Sequence, residues 1–345
     1  MRIGASDFMI AQTNQRPPLL QQQIEIIRRL ERIFQPFATM RRDALYTPNT
    51  PWIRFVHYTS AESALKIITS KRLWMRNTTC MADYREVQHG HEILVRYFSD
   101  TERRDSFVQS LEQCSPGSAT DAMTLFDQWL YDIRSYTYIA SVSEHSNQED
   151  QHGRLSMWRA FGDTNVARVA LVIKVPHYSA GQDALKVIYS PVAYLDEKGV
   201  HITLATIIQN VCNNVSFLAT ISREQLVANI FNMFVAVVTC VKHEGFHEER
   251  EWRIIYSPNR HPSALIDSSM ETVRGVPQVV YQLPLDAARS DALADLDLCR
   301  ILDRLIIGPS SYPWVMYDGF VKALTAAGVT DAHNRVVVSG IPIRS

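Results

Sequence analysis

A chain of 345 residues with 35 basic and 36 acidic side chains, 46% hydrophobic and 21% charged, has a globular composition and is neither fibrous nor disordered. Its net charge of -1 lacks the basic surplus that counterion release rewards in a general nucleic-acid coat protein. Five widely spaced cysteines with no C-x-x-C pair exclude a dense disulfide framework and point to a reducing compartment.

The opening MRIGASDFMIAQTNQRPPLL has neither the apolar core nor the cleavage site of a secretory signal. Beyond Pro17-Pro18, Leu20, Ile24, Ile27, Leu30 and Ile33 recur every three or four residues, which predicts a helix over 19–34 as an N-terminal helical layer. Trp52 to Tyr58 is rich in β-formers and reads as a strand. A helix over 61–69 follows, capped by Ser60 and burying Ala64, Leu65 and Ile68.

Helical spacing continues through 84–98, 103–111 and 123–133 as a helical insertion. Residues 136–143 and 166–175 read as core strands, the second so rich in β-branched residues that both of its faces should be buried. A further strand is expected within 186–194, then two mostly apolar helices within 204–241, divided near Ser222, which caps the second. The nearest approach to a membrane span, Val227 to Val241, is interrupted by Asn229 and Asn232, so a cytoplasmic protein is expected. Strands over 251–256, 279–283 and 302–307, a helix over 314–327 and a strand over 335–339 complete the chain. Helices inserted between strands from distant parts of the sequence predict one α+β domain over 51–345.

Four segments hold groups capable of chemistry. His57-Tyr58-Thr59-Ser60 lies at a strand-to-helix junction, where side chains and free amides can receive a ribose, amide or phosphate. Ser141-Val142-Ser143 ends a core strand. Ser156 to Gly162 offers a hydroxyl, the Trp158 ring as a stacking face and the Arg159 guanidinium, although Trp158 and Phe161 at a spacing of three also suit a buried helix face. Glu249-Arg250-Glu251 enters a strand whose alternation turns both carboxylates to one side. Such a pair suits cleavage of a glycosidic bond, including that of nicotinamide ribose, because an adjacent carboxylate stabilises positive charge building on the sugar. The same E-x-E also occurs in solvated charge runs.

His243-Glu244-Gly245-Phe246-His247 matches H-E-x-x-H, the helical spacing for two zinc-ligating imidazoles beside a general base. Gly245 weakens a helix there and a strand begins four residues after His247, so a zinc hydrolase is the lesser alternative.

The order of these segments resembles a bacterial family known as domain of unknown function 2971. The resemblance rests on HYTS at 57–60 followed by a helix and Leu73-Trp74, Asp83 and Glu86, YIASVSE at 138–144, SMWRAFG at 156–162, KHEGFHEEREWR at 242–253 and LIIGP at 305–309, and by its extent it implies that residues 1–50 are a helical accessory segment. In that family the late block centres on E-x-E-W-R and the flanking histidines do not define it. More remotely, the pattern is similar to ADP-ribosyltransferase folds, which bind NAD in the cleft of a split or mixed β-sheet. That likeness implies NAD as substrate with no metal, His57 against a ribose hydroxyl, Thr59 or Ser60 near the phosphates, and Tyr58, Ser143, Trp158 and Arg159 among the binding residues. It places Glu251 at the nicotinamide ribose, with Glu249 as its acidic partner. The acceptor is left open between protein, nucleic acid, small molecule and water, with no membrane partner. A module that senses a dinucleotide without cleaving it is the alternative.

Overall fold

The computed structural model describes residues 18–46, 52–80, 84–160, 166–176, 180–273 and 275–342. The first helices are α1 (Pro18–Phe34) and α2 (Pro36–Leu45), followed by strand β1 (Trp52–Ser60), helix α3 (Ala61–Ser70) and strand β2 (Arg72–Asn77). Helices α4 (Tyr84–Ser99), α5 (Thr101–Glu112) and α6 (Ser118–Ser135) precede β3 (Tyr138–Glu144), α7 (Leu155–Ala160) and β4 (Arg168–Pro176). Next come α8 (Ala180–Leu185), β5 (Ile188–Pro191), β6 (Ala193–Tyr194), α9 (Glu197–Cys212), α10 (Val215–Leu218) and α11 (Arg223–Cys240). The rest comprises β7 (Val241–Lys242), a 3₁₀ turn over Glu244–Glu249, β8 (Glu251–Tyr256), β9 (Asp267–Val273), β10 (Val276–Pro284), α12 (Leu298–Ile301), β11 (Leu302–Ile307), α13 (Pro313–Ala326), α14 (Ala332–Arg335) and β12 (Val336–Val338).

Ten strands form a mixed sheet that branches at β3. One edge of β3 pairs with β8 from Tyr138↔Tyr256 to Ser143↔Glu251, and β8 pairs onward with β5. The other edge is shared: β1 takes its end at Val56↔Ser143 and Phe55↔Glu144, and β2 takes its beginning at Asn77↔Tyr138 and Arg76↔Ile139. Between these contacts β1 and β2 separate. From β1 one arm runs through β4 and β11 to β12; from β2 the other runs through β10 to β9. Helix α3 connects the two arms. It is capped by the Ser60 hydroxyl, which accepts from the Ser63 amide at 3.1 Å.

Two large apolar cores flank this branch. Ala64, Ile67 and Ile68 of α3 pack with Leu171, Leu305 and Ile307 of the first arm and Leu73 and Met75 of the second. Leu65, expected inside, is 44% exposed, and Ile67 takes its place. Helices α1, α4, α5, α6, α9 and α11 share a second core around Leu30, Ile33, Phe34, Phe107, Phe126 and Phe234. Ile27 likewise turns outward while Leu30 and Ile33 are buried; Leu20 lies outside the described side chains. The strand expected within 186–194 is two short strands separated at Val192, which turns its amide to the Glu251 carbonyl. Among the described residues no helix is long and apolar enough to cross a membrane.

Candidate active site

Where β1 and β2 part, Ser141 of β3 joins two distant segments. Alternation directs its carbonyl toward the β1 edge, where no strand among the described residues pairs with it, and the His57 imidazole fills the position with Nδ1 2.9 Å from that oxygen. A carbonyl only accepts, so Nδ1 carries the proton; neutral His57 therefore keeps Nε2 as an acceptor. Burial holds the His57 pKa below its usual value despite the opposing effect of the Ser141 bond. On the other side, the Ser141 hydroxyl donates to Oε1 of Glu251 at 2.5 Å. The imidazole and the carboxylate thus meet on one serine.

Register explains the rest of the cluster. Ser143 faces Glu251 and Ser141 faces Arg253 across the β3–β8 ladder, so all four side chains share a face. Arg253 grips Glu251 through Nε to Oε1 at 2.9 Å and NH2 to Oε2 at 3.3 Å, and its NH1 donates to the Thr239 carbonyl at 2.6 Å. Lys242 Nζ lies 2.9 Å from Glu249 Oε2 and 3.5 Å from Glu251 Oε2, so a single ammonium serves both carboxylates. Phe246 covers that ammonium, its ring centroid 4.9 Å from Nζ. Burial alone pushes the Glu251 carboxyl up, but Arg253, Lys242 and hydrogen bonds from Arg253 and Ser141 outweigh it and set its pKa at about 2. Glu251 is ionised at neutral pH although only 5% exposed.

The chain reaches this point through a strained turn. Arg250 ends the 3₁₀ turn in the left-handed region at φ 45°, an uncommon conformation for a residue with a side chain. That twist starts β8 with Glu251 inward and leaves Glu249 beside the same lysine. The Glu251 amide then donates to the Tyr194 hydroxyl at 2.7 Å.

Of the other residues singled out in the sequence, Tyr58 is 5% exposed and its hydroxyl accepts from the Arg154 amide at 2.8 Å. Thr59 is partly buried, and the Ser60 hydroxyl is engaged in capping α3. Trp158 is 2% exposed, edge-on to Tyr58, and donates to the His152 carbonyl at 2.7 Å. Gly153 and Gly308 approach its ring so closely that a Cβ on either would fall within 3.0 Å of it, so the indole packs in the core and does not present an open stacking face. Arg159 is exposed. Asp83, Phe161 and Gly162 lie outside the described residues, as does the Glu86 side chain. His243 Nδ1 accepts from the Gly245 amide, and His247 Nδ1 bonds the Glu244 carbonyl. The H-E-x-x-H stretch is thus a 3₁₀ turn whose imidazoles engage their own backbone. Among the described residues no group of three or more His, Cys, Asp or Glu side chains is placed to hold a metal.

Ser141, named in the sequence together with Ser143, is the residue on which the site converges, and Lys242, Arg253 and Arg154 complete the site without having been singled out. For Arg253 the signal was present: it lies two residues from Glu251, which on a strand means the same face.

Residues 157–254 match the model of a family described as "Protein of unknown function (DUF2971)". The matched stretch contains Lys242, Glu249, Glu251 and Arg253 and ends just beyond Arg253 in β8; His57 and Ser141 lie outside it. No curated protein and no solved structure matches the chain.

Proposed function

We propose that the chain binds NAD, or a closely related dinucleotide, where β1, β3 and β8 converge, and that it cleaves the bond between nicotinamide and ribose in the manner of an ADP-ribosyltransferase or NAD glycohydrolase. The observation that carries this reading is the meeting of His57 and Glu251 on Ser141, across a branched sheet whose arms part at that point. The His57 Nε2 lone pair suits a ribose hydroxyl, and the ionised Glu251 suits a ribose ring gaining positive charge. The C1′–N bond breaks with its electron pair leaving on nicotinamide. A nucleophile bonds to C1′ and gives up its proton.

Lys242 Nζ stands 3.5 Å from the Glu251 carboxylate and the Phe246 ring covers Nζ, so a sugar that approaches Glu251 from that side displaces the exposed turn Glu244–Glu249. Glu251→Gln is expected to lower nicotinamide release about 10²–10³-fold, the scale of one preorganised electrostatic group, with little change in NAD binding. Unchanged NAD consumption in that variant overturns the assignment. Carrying label on the ADP-ribose portion and incubating with lysate identifies the acceptor as protein, nucleic acid, small molecule or water.

A second reading has its own observation: Glu251 is buried in a two-pronged ion pair with Arg253. On this reading the site where β1, β3 and β8 converge senses a dinucleotide without cleaving it. Calorimetric binding of NAD or ADP-ribose with no nicotinamide released selects it.

A further inference from the structure

The 3₁₀ turn Glu244–Glu249 has no buried side chain of its own, yet it must place two carboxylates on one lysine and pass through a left-handed residue. An apolar core does not hold it, so polar anchors must. On its inner side these are Lys242 and the covering Phe246. A further polar anchor of the turn is the Arg154 side chain, which bonds its backbone.

We propose that Arg154 is the positioning residue that sets the Glu249–Glu251 pair, fixing the turn relative to the strand that carries His57. The Arg154 side chain is 11% exposed, and its guanidinium makes five contacts, as many as it has N–H groups. Nε donates to Glu149 Oε1 at 2.9 Å. NH1 donates to the carbonyls of Glu248 at 2.7 Å and Glu249 at 3.1 Å, which are the backbone of the turn itself. NH2 donates to the Glu144 carbonyl at 2.8 Å, at the end of β3, and to Glu149 Oε2 at 3.3 Å. The Arg154 amide donates to the Tyr58 hydroxyl, next in sequence to His57. One residue therefore ties β1, β3 and the turn together, and a planar fork is needed because a lysine ammonium cannot reach so many acceptors in a plane. Arg154 acts on the E-x-E pair through the backbone carbonyls of Glu248 and Glu249, just ahead of Glu251.

Hydrogen exchange tests this without any ligand. The amides of Phe246, Arg250 and Glu251 are bonded to the His243 carbonyl, the His247 carbonyl and the Tyr194 hydroxyl, so they report the closed turn. In Arg154→Gln their exchange is expected to rise roughly tenfold or more, while amides of β4 keep the wild-type rate. Arg154→Lys should recover only part of the protection. Tyr58→Phe, which keeps the guanidinium and removes its backbone anchor, should show a smaller rise at the same amides and decides the matter if Arg154→Gln does not fold. Exchange that is unchanged, or raised equally throughout the chain, overturns the proposal.

The catalytic consequence rests on the proposed NAD reading: Arg154→Gln should then lower kcat by tenfold or more with a smaller change in KM. Wild-type protein that frees no nicotinamide removes that reading and leaves the exchange result to judge Arg154 alone.

Discussion

Glu251 keeps its charge where burial opposes it, and that makes the folded state sensitive to acid. Its pKa falls from 4.5 to about 2 on folding, so the unfolded chain binds the extra proton. The stabilisation is complete above about pH 4.5 and is lost as pH falls toward 2; the shift corresponds to about 3 kcal/mol. Urea unfolding followed from pH 7 down to 2.5 should show this loss, and Glu251→Gln should flatten the acid limb. Lys242→Met should cost about 3 kcal/mol in the same assay at pH 7, because it strips a buried cation from two carboxylates. Combining the two substitutions should cost less than their sum. Much of this chemistry was legible beforehand: E-x-E at the mouth of a strand and HYTS before a helix are local patterns. That Ser141, rather than Ser143 beside it, unites them was not, since its partners are set by a register between segments 84 and 110 residues away.

The elements recovered from sequence alone are those whose pattern matches their surroundings. EWRIIY became β8 with both ends as expected, and Ser60 and Ser222 cap α3 and α11. β2, β9 and α2 escaped detection for physical reasons. β9 (DSSMETV) is a polar strand at the sheet's end and carries no apolar face to announce itself. α2 buries only Ala38, and RLWMRN of β2 has just three apolar residues in a row between two arginines, too short a run to show a period. Nor does periodicity reveal how closely helices cross. At Gly90 of α4 a Cβ would stand 2.6 Å from the Val237 carbonyl of α11, a backbone contact that cannot simply rotate away. Gly90→Ala should therefore destabilise the protein by about 1–3 kcal/mol through overpacking, despite the better helix propensity of alanine. A fall in Tm of a few degrees or more is the expected reading, and a rise would contradict the crossing.

The helices ahead of β1 are integrated with the body of the fold. Leu30, Ile33 and Phe34 belong to the helical core, and Arg41 of α2 forms a two-bond ion pair with Glu144, whose Oε1 also accepts from the Trp252 indole at 2.9 Å. Removing residues 1–46 should expose that core and be seen as bound hydrophobic dye with an early, broadened thermal transition. The branch at β3 has a mechanical consequence of its own. Two leaves are bound to one spine along the same margin, and across the open interval a lone imidazole takes the place of a ladder rung. The seam is therefore thin on the side of the spine, and what clasps the leaves to each other is the apolar wedge of α3, Ala64, Ile67 and Ile68, seated between them.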